Sequence, residues 1–174
     1  MKLKIMVIAA VFMTAITNAV YAARGTDGNV SIIYWQAPSI LNPYLSSGTK
    51  DIESASLVIE PLGRYTETGA LVPFLAEEIP TVANGGVSAD LTSITWKLQK
   101  GLLWSDGTPV TSADVKFSAD YCMDPDGGCS QLAKFDGVKS ISTPDELTVV
   151  VTFKGPMPNP YGPFMGGQTP IIQK

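Results

Sequence analysis

The chain has 174 residues, 12 Lys and Arg against 16 Asp and Glu, a formal net charge of −4, and no histidine. An acidic surface does not invite nucleic acid or anionic lipid. Without imidazole there is no Ser–His or Cys–His nucleophile and no His-ligated metal site, and no carboxylate pair or Ser–Lys arrangement stands out from solvated charge, so no enzyme, catalytic residue, metal or cofactor is expected.

Residues 1–22 read as an export signal. Lys2 and Lys4 supply the positive start, Ile5 to Ile16 is almost wholly apolar, and Val20-Tyr21-Ala22 places tolerated residues where a signal peptidase cuts. The apolar run is about a dozen residues, short of the roughly 20 that a spanning helix needs, and no Cys follows it as a lipid anchor would require. Cleavage after Ala22 and a periplasmic location are expected. Removing Lys2 and Lys4 leaves ten basic against sixteen acidic side chains, a net charge of about −6. The remaining chain of roughly 150 residues suffices for one ordinary domain, or part of a larger one.

With 16 Gly, 13 Pro and short apolar segments, strands joined by turns are favoured over a helical bundle. Val30 to Gln36 is an apolar run rich in β-formers and reads as a first strand buried on both faces. Pro38 stops it. Asn42-Pro43-Tyr44 marks a turn, and Asp51 is placed to cap a helix over Ile52 to Ile59, with Ile52, Ala55 and Ile59 on one stripe, before Pro61. Gly63 to Glu67 and Ala70 to Pro73 read as two short strands around Thr68-Gly69.

Ser93 to Leu98 alternates, with Ile94, Trp96 and Leu98 on one face, and a turn at Lys100-Gly101 leads to Leu102-Leu103-Trp104 as its expected hairpin partner. Trp96 and Trp104 are read as packing residues rather than ligand stackers. Asp106-Gly107 supplies a turn. Thr111 and Asp114 then have the offset of a capping box, with Asp in place of the usual Glu or Gln, ahead of a helix over Ser112 to Tyr121. Phe135 to Ser142 is a candidate strand, Pro144-Asp145-Glu146 a turn, and Leu147 to Lys154 the clearest strand of the chain. It sets Leu147, Val149, Val151 and Phe153 on one face. Gly155 to Gly167 is too rich in Pro and Gly for extended regular structure, and Tyr161 and Phe164 within it read as a packed loop rather than a groove lining.

Cys122 and Cys129, the two cysteines, bracket Met-Asp-Pro-Asp-Gly-Gly. In an oxidising compartment this spacing reads as a local disulfide. A redox role would want a tighter Cys-x-x-Cys and a thiolate-favouring neighbourhood, which Asp124 and Asp126 oppose. The same two Asp residues lack the further ligands of a calcium loop.

The order of these pieces carries a resemblance. Ile59-Glu60-Pro61-Leu62 followed by Gly69-Ala70-Leu71-Val72-Pro73-Phe74-Leu75-Ala76-Glu77, then Thr95-Trp96-Lys97-Leu98-Gln99-Lys100-Gly101 and the run Trp104 to Val115, resemble the extracellular solute-binding proteins of ABC importers that take up dipeptides, oligopeptides, nickel and some sugars. Phe135-Asp136-Gly137-Val138 and the Leu147 to Lys154 strand extend the resemblance, which runs from about Asn29 to Lys174. It implies an α/β fold, the N-terminal portion of a two-lobed periplasmic-binding-protein-like fold with its extra mixed β/α subdomain. On this reading residues 23–49 begin the first lobe, 50–154 form the extra subdomain with β-hairpins and short helices, and 155–174 return toward the first lobe. The resemblance also implies a small peptide or related solute as ligand, the membrane permease of an ABC importer as partner, and a monomer. Such proteins hold ligand by hinged closure of two lobes, and this chain resembles only their N-terminal part, so the chain alone is expected not to hold ligand. Tyr34, Trp35, Gln36 and Ala37 resemble a stretch that lines the family's cleft and are the candidate ligand-binding residues. The competing reading is a free-standing secreted β-rich interaction or structural domain.

Overall fold

A computed structural model of the chain describes Gly28 and residues 31–174. The expected export signal and Val30 lie outside these residues. The chain divides after Trp35 into two units, residues 1–35 and 36–174.

In the first unit the expected strand does not form. Ser31 to Tyr34 have no regular structure, a bend begins at Trp35, and Ile33 is 99% exposed. A strand buried on both faces needs neighbours to receive its backbone N–H and C=O groups. The strand pairings among the described residues do not include this stretch.

The second unit opens with a 3₁₀ turn at Pro43–Leu45 and helix α1, Thr49–Ala55. The helix expected over Ile52 to Ile59 is therefore shifted toward the N-terminus. Gly48 occupies the cap position and Asp51 lies in the first turn. The helix ends at Ala55 with Ser56 in the cap position, the chain turns through residues 56–58, and Leu57 and Val58 are left exposed. Strands β1 (Gly63–Tyr65) and β2 (Leu71–Pro73) pair antiparallel as a hairpin. Its turn needs a left-handed residue, supplied by Gly69 at φ +80°.

Strands β3 (Ser93–Lys97), β4 (Val138–Asp145) and β5 (Thr148–Phe153) form an antiparallel sheet in the order β3-β5-β4. Here the expected hairpin of Ser93 to Leu98 with Leu102 to Trp104 is replaced. β3 pairs with β5, Ile94 opposite Val151 and Trp96 opposite Val149. Leu103 only bridges Pro109, in a tight turn where Gly107 N–H reaches the Trp104 carbonyl. The swap follows from burial, because β5 offers Val149, Val151 and Phe153 to the same apolar face as Ile94 and Trp96, whereas Leu103 is 64% exposed. Glu146-Leu147 close the β4–β5 hairpin. The candidate strand at Phe135 begins later than expected, because Leu132–Phe135 coil into a 3₁₀ turn and Gly137 turns the chain at φ +80°. β4 is an edge strand and tolerates Pro144. The other edge of β3 is covered by Ala76 bridging Leu98 and Val87 bridging Ile94.

Helix α2 (Ser112–Met123) packs against β4 and β5. Thr111 and Asp114 form the expected capping box, the Thr111 N–H donating to Asp114 Oδ2 at 2.8 Å. Val115, Ala119 and Cys122, at helical spacing, are fully buried. Each fully buried large apolar side chain contributes about 1.5–3 kcal/mol, and the cluster of Trp96, Ile94, Val149, Val151, Val115 and Phe153 is the centre of the core. Tyr161 packs edge-on to Trp96 at 6.3 Å and Phe164 edge-on to Phe135 at 5.7 Å, so the Pro- and Gly-rich stretch is a packed loop. The Cys122–Cys129 disulfide is formed; closing a loop of about eight residues stabilises by roughly 2.5 kcal/mol on the chain-entropy account.

Trp96 is fully buried, and its indole N–H has no hydrogen-bond partner among the described residues. Urea unfolding is therefore expected to show a loss of about 3–5 kcal/mol for Trp96→Ala. Trp96→Phe should cost distinctly less, since no hydrogen bond is lost; equal losses would show that the indole N–H has a partner.

Candidate functional site

Tyr34, Trp35, Gln36 and Ala37 are consecutive and exposed, with Tyr34 at 37% and Trp35 at 70%. The Tyr34 and Trp35 rings lie 5.9 Å apart at an interplanar angle of 46°. Two neighbouring aromatics of this kind offer apolar faces, and Tyr34 adds a hydroxyl.

The stretch that follows is anchored by one carboxylate. Asp51 Oδ1 accepts the Ser39 N–H at 2.7 Å and the Lys50 ammonium at 2.7 Å, with a longer bond of 3.4 Å from the Ile40 N–H. Its Oδ2 accepts the Ser46 hydroxyl at 2.7 Å. The residue is buried although its partners reach it from three segments. Lys50 beside it, with the donated bonds of Ser46 and Ser39, holds its carboxyl well below the usual carboxylate range. Rather than the expected helix cap, Asp51 is the point that ties residues 39–40 and 46 to α1.

A second set of bonds seats the 3₁₀ turn. Asn42 Oδ1 accepts the Tyr44 N–H, while its Nδ2 donates to the Tyr121 hydroxyl at 3.0 Å. Tyr44 is fully buried, donates its hydroxyl to the Pro170 carbonyl at 2.6 Å, and burial pushes its phenol above the usual tyrosine range. Immediately after the disulfide, the Ser130 N–H donates to the Tyr44 carbonyl at 2.8 Å and Gln131 Nε2 to the Ser46 carbonyl at 2.8 Å. The disulfide thus fixes the loop that holds residues 44–46, and these in turn hold Asp51. The role is positional. Cys122 and Cys129 are joined to each other, and no group of three or more His, Cys, Asp or Glu suited to a metal occurs among the described residues.

The chain's end is held in the same way. Ser118 Oγ accepts the Ile172 N–H at 2.9 Å, Asp114 Oδ1 accepts the Lys174 N–H at 2.9 Å, and Gln173 Nε2 donates to Asp106 Oδ2 at 2.8 Å. The Thr108 hydroxyl and the Gln173 amide pull the Asp106 carboxyl down to about 2.

Against known proteins, residues 70–174 match the family of bacterial extracellular solute-binding proteins, family 5 middle. The chain belongs to this family. A putative ABC transporter peptide-binding protein of Brucella ovis is 38% identical over 73 residues, 42% of this chain and 14% of that protein. Among solved structures, the binding protein AgaA of A. tumefaciens R10 in complex with agropinic acid is 31% identical with a TM-score of 0.68, covering 78% of this chain and 26% of that one. Haemophilus influenzae OppA in complex with the peptide RPPGFSPFR has a TM-score of 0.69 at 22% identity, covering 79% of this chain and 29% of that one. The α/β fold is therefore that of part of a periplasmic binding protein. The chain spans less than a third of the length of each protein it matches.

A carboxylate whose folded pKa is depressed contributes stability that is complete above its unfolded value of about 3.9 and is lost as pH falls through the folded one. Asp51→Asn is therefore expected to lower the melting temperature most at neutral pH, with the gap to the unaltered protein narrowing as pH falls below about 4. A gap that widens on acidification would show that Asp51 is not held ionised by its donors.

Proposed function

We propose that this protein binds a solute, a small peptide or related molecule, for uptake by an ABC-type importer. It acts as a binding protein and not as an enzyme. The observation that carries the reading is the family match over residues 70–174, and the peptide-binding name of the Brucella relative supports peptide over other solutes. On this reading residues 1–22 direct export to the periplasm and are removed after Ala22, and the membrane permease of the importer receives the solute from the monomeric binding protein.

Within that role Tyr34, Trp35, Gln36 and Ala37 contribute one wall of the solute site. The exposed aromatics supply stacking area, and Gln36 supplies both donor and acceptor groups for a peptide backbone. The Asp51 and Tyr44 anchors keep the segment after Ala37 in one conformation, which lowers the ordering cost of binding. Hinged capture needs a facing wall; alone, the strip is a partial site.

Deletion of the gene in its host should lower whole-cell uptake of labelled short peptides, and supplying the gene in trans should restore it. Tyr34→Ala with Trp35→Ala, both exposed positions, should be exported normally yet restore uptake at least tenfold less well. Unchanged uptake in the deletion strain would contradict the transport reading, and full rescue by the double variant would remove the strip from the site.

A further inference from the structure

A cleft of about 140 Å³ opens beside β3. Its walls are β3, through Thr95 and Lys97, and the 78–86 loop, through Glu78, Pro80, Asn84 and Gly86. The two flanking charges are opposite in sign, yet Glu78 and Lys97 form no ion pair with each other; the ion pairs among the described residues are Lys50–Asp51 and Lys116–Asp120. On the β4 side, Lys97 also acts electrostatically on the Asp145 carboxylate. The Thr95 hydroxyl faces the same side of β3 as the Lys97 side chain, since residues two apart on a strand share a face.

The cleft is built rather than left over between mobile loops. Asn84 Oδ1 accepts the Thr81 N–H at 2.7 Å and the Gly86 N–H at 3.0 Å, and its Nδ2 donates to the Ile79 carbonyl at 3.0 Å. The Gly86 carbonyl accepts the Thr95 N–H at 2.7 Å, which ties the loop to β3. The Pro80 carbonyl accepts the Tyr161 hydroxyl at 2.7 Å, and Tyr161 is itself packed on Trp96. Gly86 is required at its position, since a Cβ there would lie 2.6 Å from the Pro80 Cβ. Both charges therefore project from a frame fixed to the core.

We propose that this cleft binds a small zwitterion of amino-acid size, its carboxylate on Lys97, its ammonium on Glu78 and a polar contact to Thr95. Size and charge select this class together. The volume is roughly ten times the ~10–15 Å³ that admits one water, and well below the ~300–1,000 Å³ typical of larger organic ligands. Two opposite charges that form no ion pair with each other, on a rigid frame, complement a ligand carrying both signs better than a simple anion or cation. The site is independent of the peptide reading, because it uses none of Tyr34 to Ala37.

The test is an NMR titration of the ¹⁵N-labelled full chain with glycine, with acetate and methylammonium as single-charge probes. Glycine should give saturable, low-millimolar shifts at the Gly86 and Thr95 amides, and each single-charge probe should bind at least tenfold more weakly. Lys97→Gln and Glu78→Gln, both at exposed positions, should each weaken glycine binding at least tenfold while leaving the rest of the spectrum in place. Absence of saturable shifts at the cleft, equal binding of acetate and glycine, or unchanged binding in the two variants would overturn the proposal. None of these outcomes bears on peptide uptake, so the two readings fail separately.

Discussion

The burial of one face of β5 is the constraint on which the second unit depends. β5 is the central strand of its sheet, and Val149, Val151 and Phe153 point to the face that carries Ile94 and Trp96 of β3 and receives Val115 and Ala119 of α2. Register is strict here, because a slip of one residue would put Thr148, Val150 and Thr152 into the core and the apolar set into water. Once β5 is seated, β3 and β4 are fixed on its two sides, and the capping box fixes where α2 starts. The segments after residue 155 then pack on this core through Phe164, Met165 and Ile171.

From that core, order passes outward through a few polar bonds. Tyr44 sinks into the core and delivers its hydroxyl to Pro170, the segment after the disulfide clasps the carbonyls of Tyr44 and Ser46, and Asp51 collects Ser39, Ser46 and Lys50. Buried polar groups of this kind are costly unless satisfied, and once satisfied they select a single arrangement. Contacts frozen in advance in this way are an ordering cost not incurred on binding.

What could be read in the sequence was what neighbouring residues decide. The alternation of β5, the Thr68-Gly69 hairpin, the Thr111–Asp114 capping box, the Asp106-Gly107 turn and the Cys122–Cys129 pairing all rest on contacts within about eight residues, and all are present. The errors fell where distant parts of the chain decide. β3 chose β5, some fifty residues on, over the adjacent Leu102 to Trp104, because only β5 offers a matching buried face. Asp51 is no cap because the helix starts at Thr49, and its oxygens are taken by Ser39, Ser46 and Lys50. The run at Ile32 and Ile33 has strand composition, but composition supplies no ladder partners. Glu78 and Lys97 share a cleft through the pairing of Ala76 with Leu98, and no spacing in the sequence shows that; β-alternation marks only that Thr95 and Lys97 share the outer face of β3. The motif order, by contrast, was enough to reach the family.

The central claim is that the exposed aromatic strip touches a transported solute. The most direct measurement replaces Trp35 with a photoreactive amino acid in the protein as its host exports it, then irradiates cells supplied with a labelled peptide and recovers the protein. The account predicts peptide label on the protein, suppressed by excess unlabelled peptide and much weaker when the photoreactive residue stands at the exposed Leu103 instead. Equal labelling at both positions, or none at position 35 in cells that take up the peptide, would contradict it.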